Sequence, residues 1–269
     1  MKSVKFIYPN KKSLVRALEY YADIVILNVK GEFGMINYRN LLGNLWFFIA
    51  PIMNTFGYYI LIKLVFGYNT GDSPAVFLLI GMTFWIWFSE SLTSATSVLI
   101  NNANILTSIR LPIWIFIFSY NLKSLLLLCI NMCILFAACI FFGNGLGYTV
   151  VILPFIVIVQ LSISLCCYFY LSIIGTVIRD VRYAISFLIS LSMYITPILY
   201  ELEKMPRSFR PFAFLNPFVY IIPAYRSILL YNKIPDLLPL LVIWVIFTSL
   251  SIVGMILLKK FSPYLYRFI

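Results

Sequence analysis

The sequence predicts an all-α integral membrane protein with six transmembrane helices, an N-terminal amphipathic interface helix, and a re-entrant helical hairpin between spans five and six. Three observations carry this. Of 269 residues, 62% are hydrophobic and only 11% charged, with a mean hydropathy of +0.98, far from the roughly one quarter charged that is usual in soluble domains. The apolar residues gather in runs which, at about 1.5 Å per residue, are long enough to cross a hydrocarbon core about 30 Å thick. Between Tyr200 and Leu237 the apolar pieces are cut by Pro206, Pro211, Pro217 and Pro223, so neither half can cross and return as an ordinary helix pair.

From Lys11 to Lys30 the residues Leu14, Leu18, Tyr21, Val25 and Val29 recur every three to four positions. Arg16, Glu19, Tyr20, Asp23 and Lys30 occupy much of the other side. This pattern predicts a helix lying in the membrane interface, ended by Gly31 and Gly34. Residues 1–40 form this cytoplasmic unit and 41–269 the transmembrane domain. The spans are expected at about 41–66, where Pro51 can kink the helix, then at 75–100, 112–142, 148–177, 183–200 and 237–258. The fifth is barely long enough to cross.

Six spans put both termini on one side, and Lys and Arg mark which side. The first 40 residues hold Lys2, Lys5, Lys11, Lys12, Arg16, Lys30 and Arg39. The 101–111 loop adds Arg110, the 178–182 turn adds Arg179 and Arg182, and the tail adds Lys259, Lys260 and Arg267. The loops at 67–74 and 143–147 hold none, so both termini are expected in the cytoplasm. The 201–236 excursion, with Lys204, Arg207, Arg210, Arg226 and Lys233, is the exception. An ordinary outer loop is one explanation for it. A re-entrant hairpin is preferred, because irregular backbone at membrane depth is tolerated only when buried in protein or lining a watery cavity.

Several functions are disfavoured. The net charge of +11 sits at segment ends, where it serves topology and contact with anionic lipids rather than nucleic acid. There is no histidine, which removes the commonest general base and metal ligand. Cys129, Cys133, Cys139, Cys166 and Cys167 all lie in apolar runs without CxxC spacing, as small buried hydrophobes do. No GxxxxGK[ST] phosphate loop occurs, and Gly143-Asn-Gly-Leu-Gly147 is a turn without the Lys-Ser/Thr that would follow. The N-terminus does not read as a secretory signal. No catalytic or metal site is expected.

Glu90 and Lys123 are the only formal charges deep in the spans. Helix rise places them at matching depth on consecutive antiparallel helices, so a buried ion pair is expected, a structural staple rather than a proton relay. The short 101–112 loop carries Ile105, Leu106, Ile109 and Leu111, which are expected to be exposed, either under a partner or dipping into the headgroups.

Several pieces then coincide. They are Tyr38-Arg-Asn-Leu-Leu-Gly-Asn-Leu-Trp46 with Pro51, Phe84-Trp-Ile-Trp-Phe-Ser89, Asn102-Ala-Asn-Ile-Leu106 with Leu111-Pro112, Arg179-Asp-Val-Arg182, Thr196-Pro-Ile-Leu-Tyr200, and Leu215-Asn-Pro-Phe218 before Tyr225-Arg226. In this order and spacing they resemble the permease subunit of type-2 ABC polysaccharide exporters, which move O-antigen, capsule and teichoic acid. The resemblance covers essentially the whole chain. It implies a homodimer in the bacterial inner membrane, joined to two copies of a separate ATPase that binds ATP and Mg, with no cofactor in this chain. The cargo would be a polyprenyl- or phospholipid-linked polysaccharide. The resemblance also places the interface helix and the coupling residues Asn101, Asn104, Ile105, Leu106 and Arg110 against the ATPase, the first and fifth spans around the channel, and the hairpin as an outer gate.

On that basis Phe47, Asn54 and Tyr58 (with Pro51) in span one, and Phe187, Ser190 and Tyr194 (with Tyr183) in span five, are candidate channel walls. A passing sugar polymer needs flat apolar faces with a few hydrogen-bonding tips. Packing or lipid contact is the competing role for each. Arg39, Arg179 and Arg182 stand where a phosphate headgroup would enter, or serve topology alone. Two other functions stay open, an ABC permease for a drug or small lipid and a membrane-embedded glycan transferase. The transferase would need carboxylates near the interface, and the candidates are Glu19, Asp23, Glu32 and Asp180 on one side and Glu201 and Glu203 on the other.

Overall fold

A computed structural model describes residues 14–39, 45–60, 74–108, 111–142, 145–202, 205 and 210–268. Among the described residues the chain is helical, with no strand. The helices in order are α1 (Leu14–Arg39), α2 (Trp46–Ile60), α3 (Pro74–Asn101), α4 (Ala103–Ser108), α5 (Trp114–Phe142), α6 (Leu153–Val177), α7 (Val181–Ile195), α8 (Arg210–Ala213), α9 (Phe218–Leu229) and α10 (Leu237–Leu265). A 3-10 turn at Tyr148–Ile152 leads into α6.

Four helical stretches among the described residues are long and apolar enough to cross a membrane: Pro74–Ser108, Trp114–Phe142, Tyr148–Val177 and Leu237–Leu265. Two shorter apolar helices, Val181–Ile195 and Phe218–Leu229, accompany them. Of the expected first span the structure describes α2, which contains Pro51; residues 61–66 lie outside the described residues.

Four boundaries differ from the sequence reading. α1 does not stop at Gly31 or Gly34 but runs through both to Arg39. A glycine costs a helix only about 1 kcal/mol relative to alanine, too little to end one that packs on α5. The 101–112 segment is not an open loop, because after a turn at Asn102 it forms α4. The fifth apolar segment ends as a helix at Ile195 rather than Tyr200, since Pro197 removes a donor and holds the preceding residue out of helical geometry. α10 extends past Lys259 and Lys260 to Leu265, with Pro263 inside it.

The core is built on α3 and α6, with α5 and α10 against them and α2, α7 and α9 also on α3. α3 is buried almost from end to end, from Val76 to Leu99. Close approach is possible because small residues sit at the crossings. A Cβ on Gly175 of α6 would collide with the Thr96 carbonyl of α3, and one on Gly254 of α10 would stand 2.8 Å from the Phe169 Cβ of α6.

These contacts fix an expected outcome. Gly175→Ala lowers stability by roughly 1–3 kcal/mol, because backbone rather than a pliable side chain must move. Gly57→Ala, where the added methyl meets nothing within 4 Å, leaves stability unchanged or slightly raised. Thermal unfolding of the detergent-solubilised protein checks both. Equal behaviour of the two variants contradicts the tight α3–α6 crossing.

Candidate functional site

α7 is 15 residues long, a rise of about 22 Å, and its own hydroxyls satisfy backbone carbonyls one turn back. Ser186 Oγ donates to Arg182 O at 2.9 Å, Ser190 Oγ to Ser186 O at 3.0 Å, and Thr196 Oγ1 to Ser192 O at 2.7 Å. Such back-bonds let serine and threonine sit in an apolar helix without unpaired donors. Ile189 and Met193 turn inward. The opposite face carries Tyr183, Phe187 and Tyr194, which are 75%, 64% and 65% exposed, together with exposed Ser190. Phe187, Ser190 and Tyr194 therefore share one open face. On α2, Asn54 is exposed; the side chains of Phe47 and Tyr58 lie outside the described residues. Both α2 and α7 rest on α3.

Where α7 stops, its last carbonyls need donors, and side chains from farther along the chain supply them. Tyr200 Oη donates to Tyr194 O at 2.9 Å and to Ile195 O at 3.2 Å. Asn216 Nδ2 donates to Thr196 Oγ1 at 2.7 Å, while its Oδ1 accepts from Phe218 N at 3.0 Å and so caps the start of α9. The largest contribution comes from Arg226 of α9. Its Nη1 donates to Pro197 O at 2.7 Å, its Nη2 to Ile198 O, and its Nε to Phe77 O of α3 at 3.4 Å. The guanidinium carbon lies 3.4 Å from the centre of the Phe77 ring, and Gly81 leaves it room, since a Cβ there would stand 2.6 Å from Nη2.

Arg226 is 3% exposed, although by sequence it counted as one more charge on an outer excursion. A signal was present. Phe218, Ile222, Tyr225, Arg226 and Leu229 fall on one stripe at helical spacing, and all five are buried. Tyr225 stacks flat on Phe84 of α3 with ring centres 3.3 Å apart. The far end of α9 is fastened too, by Thr149 Oγ1 donating to Ile228 O at 3.1 Å and Gly147 N to Asn232 Oδ1 at 2.8 Å. Asn232 takes a positive φ of 51°, which asparagine tolerates better than most residues. Of the prolines expected to break this region, Pro211 lies inside the four-residue α8, Pro217 caps α9 and Pro223 sits within it. Beneath α9, Arg226, Glu201, Tyr220 and Tyr231 line a cavity of about 600 Å³.

Glu90 of α3 and Lys123 of α5 line one small cavity of about 40 Å³ with Ser91, Ser94, Tyr120 and Tyr168. Lys123 Nζ also lies 5.4 Å from the Tyr120 ring centre. Glu90 is not buried as expected but exposed on the surface of the isolated chain, and Lys123 is half-buried. The nearby hydroxyls are linked, with Ser91 Oγ and Ser124 Oγ 2.8 Å apart.

At the other end of α3, Asn102 Nδ2 donates to Val98 O at 2.8 Å and Tyr120 Oη at 3.2 Å, fixing the corner between α3 and α4. Leu106 was expected to be exposed and is instead fully buried in the cluster of Val98, Leu99, Ile113 and Phe116. A six-residue helix is too short to hold itself and must plant one apolar side chain in the bundle. Asn101, Asn104 and Ile105 remain exposed. Arg110 and Ile109 lie outside the described residues. Arg179 and Arg182 are exposed around the start of α7. Arg39 ends α1, and its side chain is outside the described set.

The sequence model of the family described as ABC-2 type transporter matches residues 34–230. Among curated proteins, this chain is similar to the O-antigen export system permease protein RfbA of Myxococcus xanthus, 29% identical over 230 residues, covering 85% of this chain and 88% of that protein. Two Klebsiella pneumoniae proteins of the same name are also similar. One is 27% identical over 213 residues, covering 78% of this chain and 82% of that protein; the other is 26% identical over 253 residues, covering 93% and 95%.

Two outcomes follow from the geometry. Arg226→Lys keeps a cation but loses the planar fork and destabilises by about 1.5–3 kcal/mol, the worth of a charged hydrogen bond; a midpoint equal to that of the native chain would remove Arg226 from the role of clamp. Glu90→Gln and Lys123→Met each lower the unfolding midpoint, and the double variant falls by less than the sum of the two, as coupled neighbours do. Strict additivity in that cycle means the pair does not interact.

Proposed function

We propose, for a chain that belongs to the ABC-2 type transporter family, that it is the transmembrane subunit of an ATP-driven exporter of a lipid-linked polysaccharide of O-antigen, capsule or teichoic acid type. The observation that carries the cargo is the similarity to three O-antigen export permeases over 78–93% of this chain. In this reading the chain does no covalent chemistry. ATP and Mg are bound by a separate ATPase, two copies of which join a homodimer of this permease in the bacterial inner membrane, with both termini cytoplasmic. Residues 1–40 are the interface unit and 41–269 the membrane domain, with α2 and α7 completing six spans and 201–236 folded inward as a hairpin.

Three features support the finer points. α4 is a short helix pinned by Asn102 and Leu106 while presenting Asn101, Asn104 and Ile105 outward, a shape suited to receiving a push from a partner without yielding. α9 is a buried helix of 12 residues, too short to cross alone, which favours the re-entrant reading. The open face of α7 combines aromatic rings with Ser190, a surface over which sugar rings can slide on their C–H faces while hydroxyls find transient partners. Arg39, Arg179 and Arg182 are then assigned to the lipid phosphate at the entrance, where guanidinium forks suit it.

The deciding experiment removes this gene while keeping the enzymes that build the polymer. Full-length lipid-linked polysaccharide is expected to accumulate on the cytoplasmic leaflet and vanish from the surface. Failure to make polymer would favour a transferase, and normal surface polymer would favour a small-molecule pump. In complemented cells, Phe187→Ala and Tyr194→Ala should each slow export by about two- to tenfold, the loss of one aromatic contact, whereas Val245→Ala on the outer face of α10 should not.

A further inference from the structure

The N-terminal helix meets the spans at a cleft. α1, the start of α5 and the end of α10 enclose a volume of about 490 Å³, walled by Tyr21, Trp114, Leu258, Lys259, Ser262 and Pro263. Tyr21 and Trp114 meet edge to face with ring centres 5.2 Å apart. Tyr266, also on the rim, donates its hydroxyl to Leu111 O at 2.8 Å and so ties the end of α10 to the start of α5. Among the described residues Lys259 is the one formal charge on the walls. It is exposed, as are Lys260 and Arg267 on the same terminal stretch. Glu19 and Asp23 of α1 stand two residues either side of Tyr21, about 160° round the helix from it, and both are exposed. The local field on the cleft is therefore positive.

Depth narrows the choice of occupant. α10 has 29 residues, about 44 Å of helix, against a hydrocarbon core of about 30 Å. Its last turns therefore stand at headgroup level, where tryptophan and tyrosine gather. A soluble anion would use the lysine but not the apolar walls, and a neutral lipid would use the walls but not the lysine.

We propose that this cleft binds an anionic glycerophospholipid. The Lys259 ammonium and Ser262 hydroxyl hold its phosphodiester, and one acyl chain lies against Leu258, Trp114 and Pro263. The lipid fills the gap by which α1 is fastened to α5 and α10, so the seating of the N-terminal helix depends on the anionic lipid content of the membrane. This assignment stands apart from the cargo and would hold for any substrate of the transporter.

Fluorescence quenching tests it. The full-length chain is placed in phosphatidylcholine vesicles holding a minor fraction of acyl-brominated phosphatidylglycerol or, in parallel, the same fraction of acyl-brominated phosphatidylcholine. The Trp114 signal is taken as the difference from a Trp114→Phe chain. Brominated phosphatidylglycerol should be preferred about fivefold, the worth of one lysine at a membrane surface. Lys259→Gln should bring the preference near unity, and Lys260→Gln, off the walls, should keep it. Equal quenching by both lipids in the native chain, or a preference that survives Lys259→Gln, overturns the proposal. So does displacement of the brominated lipid by polyprenyl phosphate at a lower mole fraction than by unlabelled phosphatidylglycerol, which would give the site to the polymer's anchor.

Discussion

A bilayer offers no hydrogen bonds, so a helix that ends within it must find donors for its last carbonyls inside the protein. α7 ends at Ile195, and the described residues that follow are arranged around the carbonyls it leaves. Tyr200 reaches back to those of Tyr194 and Ile195, Arg226 takes those of Pro197 and Ile198 just beyond, and Asn216 takes the Thr196 hydroxyl. Only arginine suits the central position. Its planar fork reaches Pro197, Ile198 and Phe77 at once and its face stacks on the Phe77 ring, whereas a lysine ammonium is a point charge without a flat face. The cost of burying the guanidinium is offset because three carbonyl dipoles and a ring quadrupole point at it. The described residues on either side of 203–209 are therefore held in place. With α9 they are bound to α3 as one body.

That body has a second attachment at its far end. α3 is a continuous helix of 28 residues, about 42 Å long. One end carries the α4 corner fixed by Asn102 and Leu106, and the other carries the Phe77 contact with Arg226. α2, α5, α6, α7 and α9 all touch it. A displacement of α4 is thus delivered to a rod rather than to a chain of loops, and packed interiors transmit such displacements because they have little free volume to absorb them. Glycine at the α3–α6 crossing places backbone against backbone, which leaves the rod no compressible layer on that side.

The long spans were legible because hydropathy and length alone decide them. What was not legible depended on contacts distant in sequence. Gly31 and Gly34 read as stops because their propensity is poor, yet packing on α5 outweighs a penalty of about 1 kcal/mol each. Leu106 read as exposed because a short polar segment surrounds it, and only the partners at Val98 and Phe116 show otherwise. Lysine and arginine counts placed Arg226 among the charges of an exceptional excursion without singling it out, although its place on the apolar stripe of α9 set it apart. Glu90 read as buried because it lies deep in an apolar run, but depth along a helix does not say which way a side chain faces. At Glu90 the side chain faces a small cavity shared with Tyr120 and Lys123 of α5 and Tyr168 of α6.

Two exposed helical faces differ in chemistry, and the difference bears on what each meets. Along α10 the exposed residues include Leu238, Leu241, Val242, Val245, Ile246, Leu250, Ile252, Val253 and Ile256, with Trp244 and Ser249 among them. A face so largely aliphatic is at its lowest free energy against acyl chains. Along α7 the exposed residues include Tyr183, Phe187, Leu188, Leu191, Tyr194 and Ile195, with Ser190 between them. A tyrosine hydroxyl deep in hydrocarbon loses its water without gaining a partner, at a cost of about 1–3 kcal/mol, so a lipid-facing wall would be expected to shed such groups rather than collect them. The tyrosines of α7 stand at its two ends, Tyr183 in the first turn and Tyr194 one residue before the last, where a hydroxyl can reach polar partners, and the Arg226 clamp closes just beyond the second of them.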